Sequence, residues 1–107
     1  MSIPTPPSLA LREVISARRG ELEALLAKYH AKNPKLFGSV ARGDAHEGSD
    51  IDILVEMDPT AGNLLMRASG LMEETRKLYA RDDIDIFPAQ LLKHPISESA
   101  LAEALDL

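Results

Sequence analysis

The stretch from Asp50 to Glu56 reads D-I-D-I-L-V-E, and it restricts the possible fold more than any other segment. Its alternation marks a β-strand with Ile51, Ile53 and Val55 on one face and Asp50 and Asp52 on the other. One side of this strand must therefore be buried, while the other carries two carboxylates. Asp58-Pro59 closes the strand. The pattern returns at Asp83–Phe87, where Ile84 and Ile86 alternate with Asp83 and Asp85, and Pro88 ends that strand. Between the two lies Leu64–Tyr79, whose residues Leu64, Leu65, Ala68, Leu71, Met72, Thr75 and Leu78 form the apolar stripe of an amphipathic helix.

Upstream, Lys35-Leu36-Phe37 reads as a short strand that runs into Gly38-Ser39. The polar, glycine-containing stretch Val40–Ser49 is a loop with room for a turn of helix. From Ser8 to about Ala31 the apolar positions recur at helical spacing. Ser8 is placed to cap that segment, Gly20 to break it in two, and Asn33-Pro34 to end it. Three prolines within residues 1–7 predict an extended, mobile lead-in, with a single domain over 8–107. Leu91-Leu92 can start a further short element, and Ser97–Ala104 reads as a C-terminal helix. The order α–β–β–α–β–α predicts an α+β (α/β) fold, one mixed sheet flanked by helices.

Composition narrows the function classes. The 107 residues suffice for one modest core, and at 4% aromatic with no Trp that core must be aliphatic. The absence of Cys removes disulfides, thiolate zinc sites and thiol nucleophiles. No run reaches the length of a membrane span, and the N-terminus lacks the basic and apolar regions of a secretory signal, so a cytoplasmic location is expected. The net charge of −5 and the scatter of basic residues disfavour direct binding of a long nucleic acid. His30, His46 and His94 have no partners at metal-ligand spacing.

Asp50 and Asp52, two apart on a strand, sit side by side with Cα atoms ~6.5 to 7 Å apart. Like charges at that range repel, and aspartate is a poor strand former. Divalent cations such as Mg²⁺ relieve that repulsion through carboxylate oxygens. The simpler reading of a bare D-x-D is the solvated face of an edge strand. Gly38-Ser39 shifts the balance. Glycine lets backbone approach a phosphate closely, and the serine adds an amide and a hydroxyl donor. A strand, a Gly-Ser turn, a loop and a second strand bearing D-x-D together form a site suited to a nucleoside triphosphate.

The run L36-F37-G38-S39-V40-A41-R42-G43-D44 followed by S49-D50-I51-D52-I53-L54-V55 resembles the G-S-x₁₀-D-x-D signature of the DNA polymerase β-like nucleotidyltransferases. With its short length, the chain is similar to the minimal nucleotidyltransferases in particular. In that family a third acidic residue sits on a later strand, and Ile84-Asp85-Ile86-Phe87 matches its context. The resemblance implies that Asp50, Asp52 and Asp85 are catalytic and hold two Mg²⁺ ions. It also implies that Gly38 and Ser39 bind the triphosphate of ATP. Asp83 shares a face with Asp85 and is the alternative third ligand. Arg42 could reach a phosphate, although an arginine in a polar loop is also often merely solvated.

The same resemblance implies a prokaryotic toxin–antitoxin setting. The chain would be an antitoxin that transfers AMP from ATP to a tyrosine of a HEPN-domain toxin, associating with that partner. Two other readings compete: an antitoxin that neutralises its partner by occlusion without catalysis, and an enzyme that modifies a small molecule.

Overall fold

The computed structural model describes residues 3–89 and 103–107. Leu91-Leu92 and all but the end of Ser97–Ala104, both expected as further elements, lie outside the described residues. Two helices come first, α1 (Pro6–Ala17) and α2 (Arg19–Lys28). Strand β1 (Ala31–Phe37) leads directly into the five-residue α3 (Gly38–Arg42). Strand β2 (Ile51–Met57), helix α4 (Leu64–Tyr79), strand β3 (Ile84–Pro88) and the two-residue β4 (Leu105–Asp106) complete the described order.

The strands form one sheet in the order β3-β2-β1-β4. The β1/β2 and β1/β4 pairs are antiparallel, whereas β2/β3 is parallel, so the sheet is mixed as expected. Parallel neighbours need a crossover, and α4 supplies it between β2 and β3. Ile51, Ile53, Val55, Ile84 and Ile86 join Leu11, Ile15, Leu22, Leu26 and Leu71 in one buried cluster. The alternating isoleucines therefore face the helices, and Asp52 and Asp85 are left on the opposite face of the sheet. Tyr79 ties the helical layer together by donating its hydroxyl to the Ile15 carbonyl at 2.8 Å.

Helix α4 has the expected limits. The Asn63 side chain caps it, accepting from the Met66 N–H at 3.0 Å, and Ala80 ends it in the left-handed region. Its buried residues are Ala68, Leu71, Thr75 and Tyr79; Leu65, expected on the apolar stripe, is instead 66% exposed.

The N-terminal third departs from the expected layout in three places. The cap of α1 is Thr5 rather than Ser8, so Pro6 and Pro7, assigned to the lead-in, form the first turn, where proline has no N–H to lose. Ser8 is instead buried and accepts from the Ala45 N–H at 2.9 Å. The break between helices falls at Arg18, with φ −123° and ψ 33°, and Gly20 lies inside α2. The helical stretch stops at Lys28, and Asn33-Pro34 sits within β1 rather than ending a helix. Proline can lie there because the register against β2 jumps between Lys32 and Lys35, an irregularity where no ladder donor is needed. Finally, β4 has no counterpart in the expected layout. It pairs Leu105 and Asp106 with Leu36 and Lys35 of β1, and two residues are too few to show a period.

Candidate active site

Asp52 and Asp85 are direct partners across the parallel β2/β3 pair, so the two carboxylates sit on adjacent strands and the same face. Phe37, the last residue of β1, is the partner of Asp52 on the other side. Gly38 follows at φ +73°, where the chain turns out of the sheet into α3. A Cβ at Gly38 would lie 2.6 Å from Oδ2 of Asp52. Only glycine therefore satisfies both the left-handed backbone and the close approach of this carboxylate. Asp50 is exposed and stands just before β2.

The electrostatics join the three acids. Burial, then the charges of Asp85 and Asp50, push the Asp52 carboxyl up to about 6, while Arg42 acts in the opposite direction. Asp83, the alternative third residue, is engaged elsewhere. Arg81 donates to it from Nε at 2.8 Å and Nη2 at 2.7 Å, and this pairing holds the Asp83 carboxyl below its usual range. Its carbonyl also accepts from the Ile51 N–H at 2.9 Å. Of the two aspartates, only Asp85 lies within β3, where it is the partner of Asp52. Arg42 is paired with Asp44 at 3.2 Å and largely exposed, so its link to the acids is through charge.

The α3 turn is held from outside. Arg12 of α1 donates from Nε to the Val40 carbonyl at 3.0 Å and from Nη2 to the Ala41 carbonyl at 2.9 Å. The Ser39 carbonyl accepts from both Gly43 and Asp44 N–H groups, with Gly43 in the left-handed region at φ +90°. Thr5 pins the loop that follows, donating its N–H to the Gly43 carbonyl and its hydroxyl to the Ala45 carbonyl. Ser39 is thus fixed through its backbone by two neighbours, and its hydroxyl makes no protein hydrogen bond among the described residues.

Two functional candidates are not evident from the sequence pattern. One is Arg12, which clamps α3. The other is Arg76 of α4, which donates from Nε to the Ile84 carbonyl at 2.8 Å and from Nη2 to Oδ1 of Asp85 at 3.0 Å. The signal for Arg76 was its spacing: it lies four residues after Met72 and three before Tyr79, a cation on the inward edge of an apolar stripe. A separate cleft of about 440 Å³ runs between the start of α1 and the loop at His46–Ser49, with Arg81 on its wall. None of the three acids lines it.

The donor set fits a hard divalent cation, since the crowding of carboxylates that raises the Asp52 pKa is relieved by one. Among the described residues no three acidic or histidine side chains are already gathered into a metal cage. The acids are coupled across the strands without closing around a point.

Fold and site together define a nucleotidyl-transferring protein, and the chain belongs to the nucleotidyltransferase domain family, whose pattern matches residues 19–107. Among its relatives in Methanocaldococcus jannaschii, the protein named "Putative protein adenylyltransferase MJ1379" is 32% identical over 95 residues, 89% of this chain and 94% of that one. A second, "Putative protein adenylyltransferase MJ0435", is 31% identical over 83 residues, 78% of this chain and 86% of the other. A solved structure titled "Structure of putative minimal nucleotidyltransferase" superposes with a TM-score of 0.72 at 35% identity, covering 89% of this chain and 94% of that chain. The resemblance to minimal nucleotidyltransferases is thereby established, and with it an enzyme of the nucleotidyltransferase kind. No helix among the described residues is long and apolar enough to cross a membrane.

Proposed function

We propose that this chain transfers AMP from ATP to a hydroxyl, a tyrosine, of a cognate HEPN-domain toxin in the prokaryotic cytoplasm, and so neutralises it as an antitoxin. The observation that carries the transfer is the pairing of Asp52 with Asp85 across β2/β3, directly beside the Gly38 turn. Asp50, Asp52 and Asp85 would hold two Mg²⁺ ions, which when bound supply charge neutralisation on the triphosphate. Gly38 keeps the backbone low enough for a phosphate to approach, and Ser39 offers its amide and hydroxyl as donors. Arg42 adds positive charge at the edge of the site.

The acceptor oxygen attacks the α-phosphorus in line, the bond from that phosphorus to the bridging oxygen breaks, and pyrophosphate leaves. The proton of the acceptor hydroxyl passes to Asp85. Most of the rate gain comes from positioning and charge stabilisation, because the protein contributes no covalent chemistry of its own.

Two features support a protein acceptor. Both named relatives are protein adenylyltransferases by title. The chain is acidic at −5, which suits a basic, RNA-cleaving partner. Leu65 and Met66, adjacent at the start of α4 and 66% and 72% exposed, offer apolar surface that a partner could cover, which favours occlusion as the second reading.

Intact mass spectrometry of the co-expressed partner, incubated with ATP and Mg²⁺, separates the two. Gain of AMP units with wild type, absent with Asp50→Asn/Asp52→Asn, is the expected result. Silencing of the partner by both proteins with no mass change would leave occlusion and refute transfer.

A further inference from the structure

Arg76 bridges two acceptors on consecutive residues of β3, the main-chain carbonyl of Ile84 and the carboxylate of Asp85. A planar guanidinium held at two points has a fixed direction, which a lysine on the same helix could not reproduce. Arg76 and Asp85 are each 33% exposed, so solvent competes with the pair but does not surround it. One carboxylate oxygen of Asp85, Oδ1, is taken by Arg76; Oδ2 has no hydrogen-bond partner among the described residues. Asp52 stands directly across, one strand spacing of ~4.8 Å away, and bears the same charge. An untethered Asp85 would rotate away from Asp52, because only like-charge repulsion would then act between them.

We propose that Arg76 is a positioning residue that holds Asp85 opposite Asp52, so that the two carboxylates would hold a cation together. Helix α4 thereby serves the site as well as the crossover, since its last turn carries the tether. The role in turnover rests on the adenylyl-transfer reading; the role in cation binding does not.

Manganese binding, followed by the electron paramagnetic resonance of free Mn²⁺, tests it in wild type, Arg76→Gln, Asp85→Asn and the double variant. Asp85→Asn is expected to weaken Mn²⁺ about tenfold when Arg76 is present and less than about threefold when it is not. Equal losses in the two backgrounds would overturn the proposal. Should Arg76→Gln not fold, Arg76→Lys takes its place in the cycle. Turnover gives the second readout. Arg76→Lys keeps the charge but not the fork, and should lose about tenfold in kcat with KM for ATP within about twofold of wild type. A wild-type kcat, or a matching loss of ATP binding, contradicts positioning. If wild type itself transfers no AMP, the proposed function falls, and the Mn²⁺ cycle decides the role of Arg76 alone.

Discussion

Replacing Asp52 with asparagine should make the metal-free protein more stable while ending catalysis. The Asp52 carboxyl is pushed from its ordinary value near 3.8 up to about 6 by burial and by Asp85 and Asp50. The folded state thus holds this proton more tightly than the unfolded chain does. The sign follows directly: below about pH 4 the aspartate is protonated in both states and has no effect on stability. As pH rises from there through 6, the unfolded chain ionises more readily and stability is lost. A shift of this size corresponds to ~3 kcal/mol at most. Asp52 is only partly buried, so solvent screening reduces the expected penalty to ~1 kcal/mol above pH 7. Asparagine has no charge to desolvate and nearly the same shape. Urea unfolding at pH 8 should therefore show Asp52→Asn ~1 kcal/mol more stable than wild type, or higher in Tm by ~4 to 8 °C. At pH 4 the two curves should nearly coincide. Added Mg²⁺ should then raise the stability of wild type and leave the variant almost unmoved, because a ligand that binds only the folded state stabilises it. A variant that is less stable at pH 8, or a difference that does not change between pH 4 and 8, would refute the electrostatic account of this site.

Two further substitutions test the surroundings. Gly38→Ala places a Cβ 2.6 Å from Asp52 Oδ2 on a backbone at φ +73°, and should lose ~1 to 3 kcal/mol in thermal melts together with most AMP transfer. Gly20→Ala, whose Cβ would meet nothing within 4 Å inside α2, is the matched control and should gain ~0.5 to 1 kcal/mol with unchanged transfer. Ser8→Ala leaves the Ala45 N–H without its partner at a buried position, and chemical denaturation should show a loss of ~1 to 3 kcal/mol.

Strands β2 and β3 and the central helix were legible because their periods are long enough to read. Asp50–Glu56 carries three buried residues on one face, and Leu64–Tyr79 runs for more than four turns, so burial alone determines both. The N-terminal helices were harder to delimit, since their ends depend on local competition. Thr5 outcompetes Ser8 as the cap because Ser8 is drawn inward to Ala45, 37 residues along the chain and beyond any local rule. Pro34 looked like a terminator, yet it lies in β1 because a register jump removes the need for its missing N–H. Such compensations are tertiary, and single-sequence periodicity contains no trace of them.

The site divides in the same way. The residues proposed to touch the chemistry lie close together in sequence, Gly38 and Ser39 in one run and Asp50 and Asp52 in the next, with Asp85 repeating the alternating pattern further on. Alternation alone puts Asp83 and Asp85 on one face; the resemblance favours Asp85, and the structure adds that Asp85 pairs with Asp52 while Asp83 is bound by Arg81. The residues that hold the chemistry in place are not local at all. Arg12 reaches α3 from 28 residues away, and Arg76 reaches Asp85 from a helix whose apolar stripe is what the eye follows. A charged residue on the inward edge of such a stripe must find a partner or lose stability on burial. For Arg76 that partner is a carboxylate that itself faces another carboxylate. Each of the two otherwise unfavourable placements offsets the other, and the pair they form is where the helix layer meets the acidic face of the sheet.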